Sequence, residues 1–271
     1  MHDNVVEINN LTLPYCFNKF SIKFPKEKLI VISGPNNCGK TTLIRILDSQ
    51  IKTKNQVFFG TVGLEHYQIT DLATKIKAVI PGECYFIENT LEQEINRVLI
   101  NKQYKNNKHN LKEIIKKYKL TKYQNSNPNT LNNYLKIKLS LVLSFLYKPT
   151  LLLLDDIFNN LSKSEKEDRM MQSLTIQKYK FKIYKKENKI SIIMTCSNLE
   201  DSLFSDILYI IKDNEIVLSG PPMEVLQNDN IINKTGLELP FMIDLSVKLR
   251  DYDLIQTIET DMDRLVNILW R

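Results

Sequence analysis

The stretch Gly34-Pro35-Asn36-Asn37-Cys38-Gly39-Lys40-Thr41 decides the fold, because it fits the pattern G-x-x-x-x-G-K-[ST]. Apolar and β-branched residues dominate the segment before it, residues 28–33, and a helix-type apolar segment, residues 43–47, follows it. Strand, glycine-containing loop and helix in this order is the context in which the pattern carries meaning. The sequence therefore predicts a loop that wraps around phosphate groups.

The residue types of this loop suit a nucleoside triphosphate, and we expect ATP with Mg²⁺. Gly34 and Gly39 let successive backbone N–H groups face the phosphate oxygens, and the following helix adds the positive end of its dipole. Lys40 is expected to bridge the β- and γ-phosphates, while the Thr41 hydroxyl binds Mg²⁺. The candidate ATP-binding residues of the loop are Gly34, Pro35, Asn36, Asn37, Cys38, Gly39, Lys40, Thr41 and Thr42.

A pair of aspartates follows the short apolar run of residues 151–154, and this run is typical of a buried parallel strand. Asp155 ends this run and is the candidate Mg²⁺ residue, acting through water. Asp156 and Lys40 are the candidate catalytic residues. The Asp156 carboxylate could orient or deprotonate an attacking water. The alternative is that both acids cap a following helix.

The remaining pattern predicts an α/β protein. Strand-like segments precede the phosphate loop, and a helical segment spans residues 90–147. Further apolar strand-like runs lie on either side of this helical segment. Beyond residue 230 the chain continues with two short amphipathic segments, so we expect a main domain over 1–230 and an appendage over 231–271. The expected strands are residues 5–11, 20–24, 28–33, 56–59, 151–154, 190–194, 206–211 and 215–219.

The composition is that of a globular protein, with 43% hydrophobic and 25% charged residues among 271. The net charge of +6 comes mostly from lysine-rich stretches at 112–122 and 178–189, for which a solvated helix face is the simplest interpretation. The alternative interpretation is an anionic partner, either membrane headgroups or nucleic acid. Of these two, nucleic acid is not expected.

Several protein classes do not fit this sequence. No apolar run approaches the length of a membrane-spanning helix, and the first residues lack a signal-peptide pattern, so we expect a cytoplasmic location. The four cysteines are scattered and only three histidines occur, which disfavours a zinc site or a disulfide framework.

The order of these landmarks resembles the ATP-binding cassette (ABC) ATPases. Tyr15 lies where that family has an aromatic residue that stacks on adenine, although a surface tyrosine is the alternative. Leu131-Asn132-Asn133-Tyr134-Leu135-Lys136-Ile137-Lys138 stands in the place of the LSGGQ signature, at the usual spacing from Asp155. The resemblance implies a P-loop NTPase core with an antiparallel β subdomain, a helical subdomain over about 88–148 and a small C-terminal helical extension.

The C-terminal residues are similar to those of the ATPase subunits of energy-coupling-factor (ECF) transporters, from Thr235-Gly236-Leu237-Glu238-Leu239-Pro240 onward. This resemblance implies a peripheral protein at the cytoplasmic face of the membrane. Its implied partners are a second ABC ATPase subunit, which pairs through the extension, an integral membrane coupling subunit and a substrate-binding membrane subunit.

The chain departs from the family pattern mainly where catalysis is concerned. Asn133 and Tyr134 replace the signature glycines, and their side chains would obstruct close backbone approach, although Asn132 could still cap the helix. Asp156 stands for the catalytic glutamate and is one methylene shorter, about 1.5 Å of reach. Cys196 is expected at the position of the switch histidine.

Two further positions differ from the family. The glutamine expected near Pro81 is missing, with Glu83 as the candidate substitute, and Ser162 stands where the family has aspartate. Because ABC sites form between two subunits, these changes imply the degenerate member of a heterodimer.

Three functions remain open on the sequence. The chain could hydrolyse ATP and drive import of a small nutrient, or it could bind ATP as a scaffold while its partner hydrolyses. A soluble ABC ATPase outside transport is the third.

Overall fold

The computed structural model describes residues 3–101, 107–159, 161, 162, 164 and 189–270. Of the lysine-rich stretch at 178–189, all but Lys189 lies outside the described residues, and so does the last residue of the extension.

Within these residues the strands form two sheets. A four-stranded antiparallel sheet has the order β2-β1-β4-β5, and a six-stranded sheet has the order β10-β9-β3-β8-β7-β6. All neighbours in the larger sheet are parallel except β10, which runs antiparallel to β9. The strands are β1 Asn4–Leu13, β2 Phe17–Pro25, β3 Leu29–Ser33, β4 Val57–Phe59, β5 Val62–Gly63, β6 Ile76–Val79, β7 Leu151–Asp155, β8 Ser191–Cys196, β9 Ile207–Lys212 and β10 Glu215–Gly220.

The described helices fall into three groups along the chain: those that flank the first strands, those of the helical insert and those of the C-terminal part. The first two groups are α1 Lys40–Leu47, α2 Ile69–Lys75, α3 Leu91–Asn101, α4 Asn107–Lys117 and α5 Asn133–Tyr147, and the last is α6 Pro222–Leu226, α7 Asp229–Thr235, α8 Phe241–Asp251 and α9 Met262–Leu269.

The central strands of the parallel sheet are buried on both faces. In β3, Ile30 and Ile32 pack with the antiparallel sheet and α1, whereas Leu29 and Val31 pack with the helical insert. Alternate residues of a strand point to opposite faces, so an uninterrupted apolar strand needs cover on both sides. The sheet is therefore the layer between two hydrophobic clusters.

The α/β prediction, the antiparallel subdomain and the expected strands are confirmed, with ends that differ by up to three residues. The sequence patterns did not predict α2, β5, β6, α6 or α7, and they ended β8 two residues early. β6 is only four residues long and carries Lys77 in its middle, so it shows neither a long apolar run nor an alternation.

The C-terminal extension begins within α7 and contains α8 and α9. The Ser246 hydroxyl donates to the Glu259 carbonyl oxygen at 2.9 Å and accepts from its backbone N–H at 3.2 Å, which ties α8 to the segment before α9. The domain division at residue 230 stays a prediction. Among the described helices, not one combines the length and apolar character that crossing a bilayer requires.

The start of α5 provides a test of local stability. The Asn132 side chain accepts a hydrogen bond from the Leu135 backbone N–H at 2.9 Å, so it caps the helix as expected. We predict that Asn132→Ala lowers the free energy of unfolding by about 1 kcal/mol, measured by chemical denaturation. Asn133→Ala, one residue into the helix, is the matched control and should leave stability unchanged or slightly higher. An equal loss in both variants would show that the cap does not contribute.

Candidate functional site

The phosphate loop and the acidic strand end meet at one edge of the parallel sheet. β3, β8 and β7 are neighbours, and their carboxyl ends lie side by side: Ser33 pairs with Cys196, and Asp155 pairs with Thr195. In open α/β sheets, ligands bind at this edge. The fold therefore brings together the two elements that the sequence analysis placed more than a hundred residues apart.

Gly34 and Gly39 are required by the close packing of the loop. A Cβ atom on Gly34 would lie 2.2 Å from the Ile211 carbonyl oxygen and 2.7 Å from the Cys38 Sγ. Gly39 has a φ of +94° and caps α1, and a Cβ there would lie 2.8 Å from the Phe17 ring. Both positions exclude a side chain, so the loop keeps its backbone open for a ligand.

Lys40 lies at the first turn of α1 with its ammonium inside the loop. Its Nζ donates to the carbonyl oxygens of Gly34 at 2.7 Å and Pro35 at 2.9 Å. The charge is thus held at the centre of the loop by two backbone groups, at the positive end of the helix dipole. The other candidate loop residues surround it: Asn36 and Asn37 are exposed, and Cys38, Thr41 and Thr42 are half-buried.

A line of hydrogen bonds joins the loop to the two neighbouring strands. The Thr41 hydroxyl donates to Asp155 Oδ2 at 2.8 Å, and the Thr195 hydroxyl donates to Asp155 Oδ1 at 2.6 Å. Asp155 is only 6% exposed, so these two donors hold a buried carboxylate in place. A hydroxyl next to a carboxylate is a donor set that suits Mg²⁺, whose remaining positions are taken by waters and phosphates.

Asp156 is fixed at the end of β8 rather than at a helix. Its backbone N–H donates to the Thr195 hydroxyl at 3.0 Å, and its φ is +45°. Its carboxylate accepts from the Ser197 hydroxyl at 2.5 Å and from the Ser197 backbone N–H at 3.2 Å. Among the described residues, the side chains of both acids contact α1, β8 and Ser197, which disfavours the helix-capping alternative.

Cys196 does not occupy the expected position of the switch residue. It is the last residue of β8, 1% exposed, and burial raises the pKa of its thiol to about 12. The residue beside Asp156 is Ser197, the first after the strand. The difference follows from the two extra residues of β8: all six strand residues are buried, Thr195 and Cys196 included, and Ser197 is the first exposed residue after the strand.

The start of α5 presents polar side chains where the family has glycines. Asn132 and Asn133 are exposed, whereas the half-buried Tyr134 packs against the core below them. The Lys138 Nζ lies 3.3 Å from the Tyr134 hydroxyl oxygen, so the tyrosine ring is held along the helix. The helix is intact, and the change lies in the side chains of its first turn.

Tyr15 and Glu83 are two further predicted positions, and they lie near different parts of the loop and of α1. Tyr15 is fully exposed in the turn between β1 and β2, and the following residues Cys16 and Phe17 pack beside Gly39. Glu83 forms an ion pair with Arg45 of α1, and both side chains are about 40% exposed. The turn therefore brings an exposed aromatic ring close to the phosphate loop.

Two residues of the site were missed from the sequence. Thr195 bonds to both acids, and Ser197 bonds to the carboxylate of Asp156. Neither belongs to a motif. The signal that could have found them is the pairing of β7 with β8, which places residues 195–197 opposite Asp155 and Asp156.

An open cavity of about 860 Å³ lies between the phosphate loop and the C-terminal extension. One wall is formed by the edge of the loop and the residues after β8, and the other by the segment from α7 to α8. Its lining residues include Asn36, Ser197, Glu200, Gly236, Glu238, Phe241 and Asp244. The extension thus borders the same space as the phosphate loop.

Comparisons with known proteins agree with this geometry. A family model described as ABC transporter matches residues 17–159, just over half of the chain. The energy-coupling factor transporter ATP-binding protein EcfA1 of Mycoplasma mobile is 24% identical, with 97% of this chain and 95% of the relative aligned. The EcfA protein of Pediococcus pentosaceus is 23% identical, with 96% and 94% aligned.

A solved structure has the same fold. It is CbiO1 from Clostridium perfringens, described as part of the ABC transporter complex CbiONQ. The TM-score is 0.67 at 17% identity, and the match covers 92% of this chain and 99% of that chain.

The position of Cys196 can be tested by thiol labelling. We predict that iodoacetamide at pH 8 modifies the half-exposed Cys38 of the native protein but reaches Cys196 only after unfolding, because the Cys196 thiol is buried and its raised pKa keeps it protonated. Mass spectrometry of the digested protein reports both sites from one sample, so Cys38 is the internal control. Labelling of Cys196 in the native protein at the rate of Cys38 would contradict the assignment.

Proposed function

This chain belongs to the ABC transporter family, and from that membership we propose that it is the ATP-binding subunit of an ECF importer for a small nutrient. Members of this family bind and hydrolyse ATP. The observation that carries the finer proposal is the alignment of almost the whole chain, extension included, with ECF ATP-binding proteins. That alignment agrees with the convergence of the phosphate loop, Asp155 and Asp156 at one sheet edge.

The residues of the site have separate parts in hydrolysis. The loop backbone and Lys40 would bind the β- and γ-phosphates. Thr41 would hold Mg²⁺ with its hydroxyl, and Asp155 would act on Mg²⁺ through water. Bound Mg²⁺ neutralises phosphate charge. Asp156 takes a proton from the attacking water as the water oxygen bonds to the γ-phosphorus and the bond to ADP breaks. Tyr15 stacks on the adenine ring, which its full exposure permits.

Pairing with a second ATPase subunit is supported by the surface of the extension. Met262, Val266 and Leu269 of α9 and the adjacent Trp270 are exposed apolar residues, spaced so that they share one helix face. The segment from α7 to α8 of the same extension borders the cavity next to the phosphate loop. We propose a heterodimer in which this chain is the degenerate member.

Contact with an integral membrane subunit is supported by a rigid loop between β6 and α3. Tyr85 and Ile87 are 84% and 78% exposed, although the loop backbone between them is firmly held. Asn129 bonds to both backbone groups of Phe86 at 3.0 and 2.8 Å, and the buried Glu94 carboxylate accepts from the next two N–H groups at 2.9 and 2.8 Å. An ordered apolar pair suits a membrane subunit, which would place the protein peripherally at the cytoplasmic face.

A second candidate is a scaffold that binds ATP without hydrolysing it. The exposed Asn133 and the half-buried Tyr134 at the start of α5 favour it, because they obstruct the close backbone approach that a glycine pair allows. Under this alternative the partner subunit performs most of the hydrolysis. The variant Asp156→Asn separates the two candidates, since only a hydrolysing subunit loses turnover.

The proposal predicts that Lys40→Ala weakens ATP binding by roughly tenfold or more, since a hydrogen bond to a charged group contributes about 1.5–3 kcal/mol. The same change should lower ATP hydrolysis of the purified transporter assembly to near background. Binding to the isolated chain is measured by calorimetry and hydrolysis by phosphate release. Lys54→Ala removes the same charge at an exposed site and is the matched control. Unchanged hydrolysis with Lys40→Ala would remove the ATPase proposal.

The membrane contact is tested by Ile87→Ser against Ile69→Ser, since the two isoleucines are 78% and 84% exposed. We expect Ile87→Ser to weaken association with the membrane subunit by roughly tenfold, because burying an isoleucine contributes about 1.5–3 kcal/mol. Recovery of the assembly from detergent-solubilised membranes measures it. ATP affinity of the isolated chain should be unchanged in both. Equal recovery of both variants would argue against this loop as the contact.

A further inference from the structure

We infer that Ser197 is a positioning residue for ATP hydrolysis: it orients the Asp156 carboxylate toward the attacking water. The inference rests on the proposed function, in which Asp156 takes the proton of that water. It assigns a part to a residue that belongs to no motif in the sequence and that replaces Cys196 as the neighbour of the acid.

Ser197 holds both oxygens of the carboxylate. Its hydroxyl donates to Asp156 Oδ2 at 2.5 Å and its backbone N–H donates to Oδ1 at 3.2 Å. The Asp156 backbone is fixed by the same strand end, where its N–H donates to the Thr195 hydroxyl at 3.0 Å and approaches the Thr195 carbonyl oxygen at 3.2 Å. The acid is thus restrained at its backbone by one residue of β8 and at its carboxylate by the residue two positions later.

This restraint leaves the carboxylate able to accept a proton. Each carboxylate oxygen has two lone pairs, and the contacts with Ser197 use one on each oxygen. The other lone pairs stay available for the attacking water. A base whose orientation is set before the water arrives avoids the loss of conformational freedom during the reaction, which is the advantage of fixed geometry in catalysis.

Ser197 contributes little to packing. It is exposed, whereas the preceding strand residues of β8 are buried. Replacing its hydroxyl by hydrogen leaves no cavity in a core, and an exposed hydrogen bond contributes little to stability. Its hydroxyl proton is engaged by Asp156 Oδ2, so we expect its effect on the reaction to pass through the acid.

The test is steady-state ATP hydrolysis by the purified transporter assembly, with four forms of this chain: wild type, Ser197→Ala, Asp156→Asn and the double variant. We expect Ser197→Ala to remove most of the turnover that Asp156→Asn removes, a fall of about tenfold in kcat, with KM for ATP unchanged. In the Asp156→Asn background, Ser197→Ala should have no further effect. Ser197→Thr, which keeps the hydroxyl, should restore turnover. Thermal unfolding of each purified chain checks that the fold is intact.

The outcomes separate the inference from the function on which it rests. If Asp156→Asn leaves turnover unchanged, the hydrolysing function of this chain is wrong and the inference falls with it. If Asp156→Asn lowers turnover but Ser197→Ala does not, only the inference is overturned. It is also overturned if Ser197→Ala lowers kcat by the same factor in the Asp156→Asn background, since Ser197 would then act independently of the acid.

Discussion

The hydrogen bonds that join Thr41, Asp155 and Thr195 are the constraint on which the site depends. Asp155 is buried at the end of a fully apolar strand, and a buried carboxylate without partners is costly. The hydroxyl from α1 and the hydroxyl from β8 satisfy it, so three elements far apart in the sequence are fixed to one another. Because α1 begins within the phosphate loop, the carboxylate also sets the distance between the loop and the acidic strand end. The candidate Mg²⁺ position is a consequence of how this carboxylate is satisfied.

The features that could be predicted from the sequence are those set by local spacing. The phosphate loop carries its own glycines and lies between a strand and a helix, and Asp155 follows an uninterrupted apolar run, so neither needs tertiary information. β6 was missed because its four residues acquire their strand character from pairing with β7. The neighbour of Asp156 was misassigned because it depends on where β8 ends, and the exposed or buried state of residues 196 and 197 follows from that end. The local sequence indicates whether a segment is a helix or a strand. Which residues meet at the ends of neighbouring strands depends instead on the pairing register of those strands.

The departures from the family pattern lie at other positions than the groups proposed to bind the nucleotide. The groups proposed to hold phosphate and Mg²⁺ within this chain are backbone N–H groups, Lys40, Thr41 and Asp155, and their geometry suits that task. In the proposed function, the altered positions Asn133, Tyr134 and Ser197 are those that contact a partner subunit or the γ-phosphate. Nucleotide binding rests largely on backbone geometry, which side-chain changes on other elements leave intact. A chain altered in this way keeps its affinity for ATP more readily than its rate of hydrolysis.

The lengths of Asp156 and Ser197 account for their direct contact. An aspartate reaches about 1.5 Å less far than a glutamate, so its carboxylate stays close to the end of β8. A serine at the next strand end is short enough to meet it there with both its hydroxyl and its backbone N–H. A longer imidazole would extend past a carboxylate placed so near the strand. The two short side chains therefore form one unit, and under the proposed mechanism hydrolysis depends on the pair rather than on the acid alone.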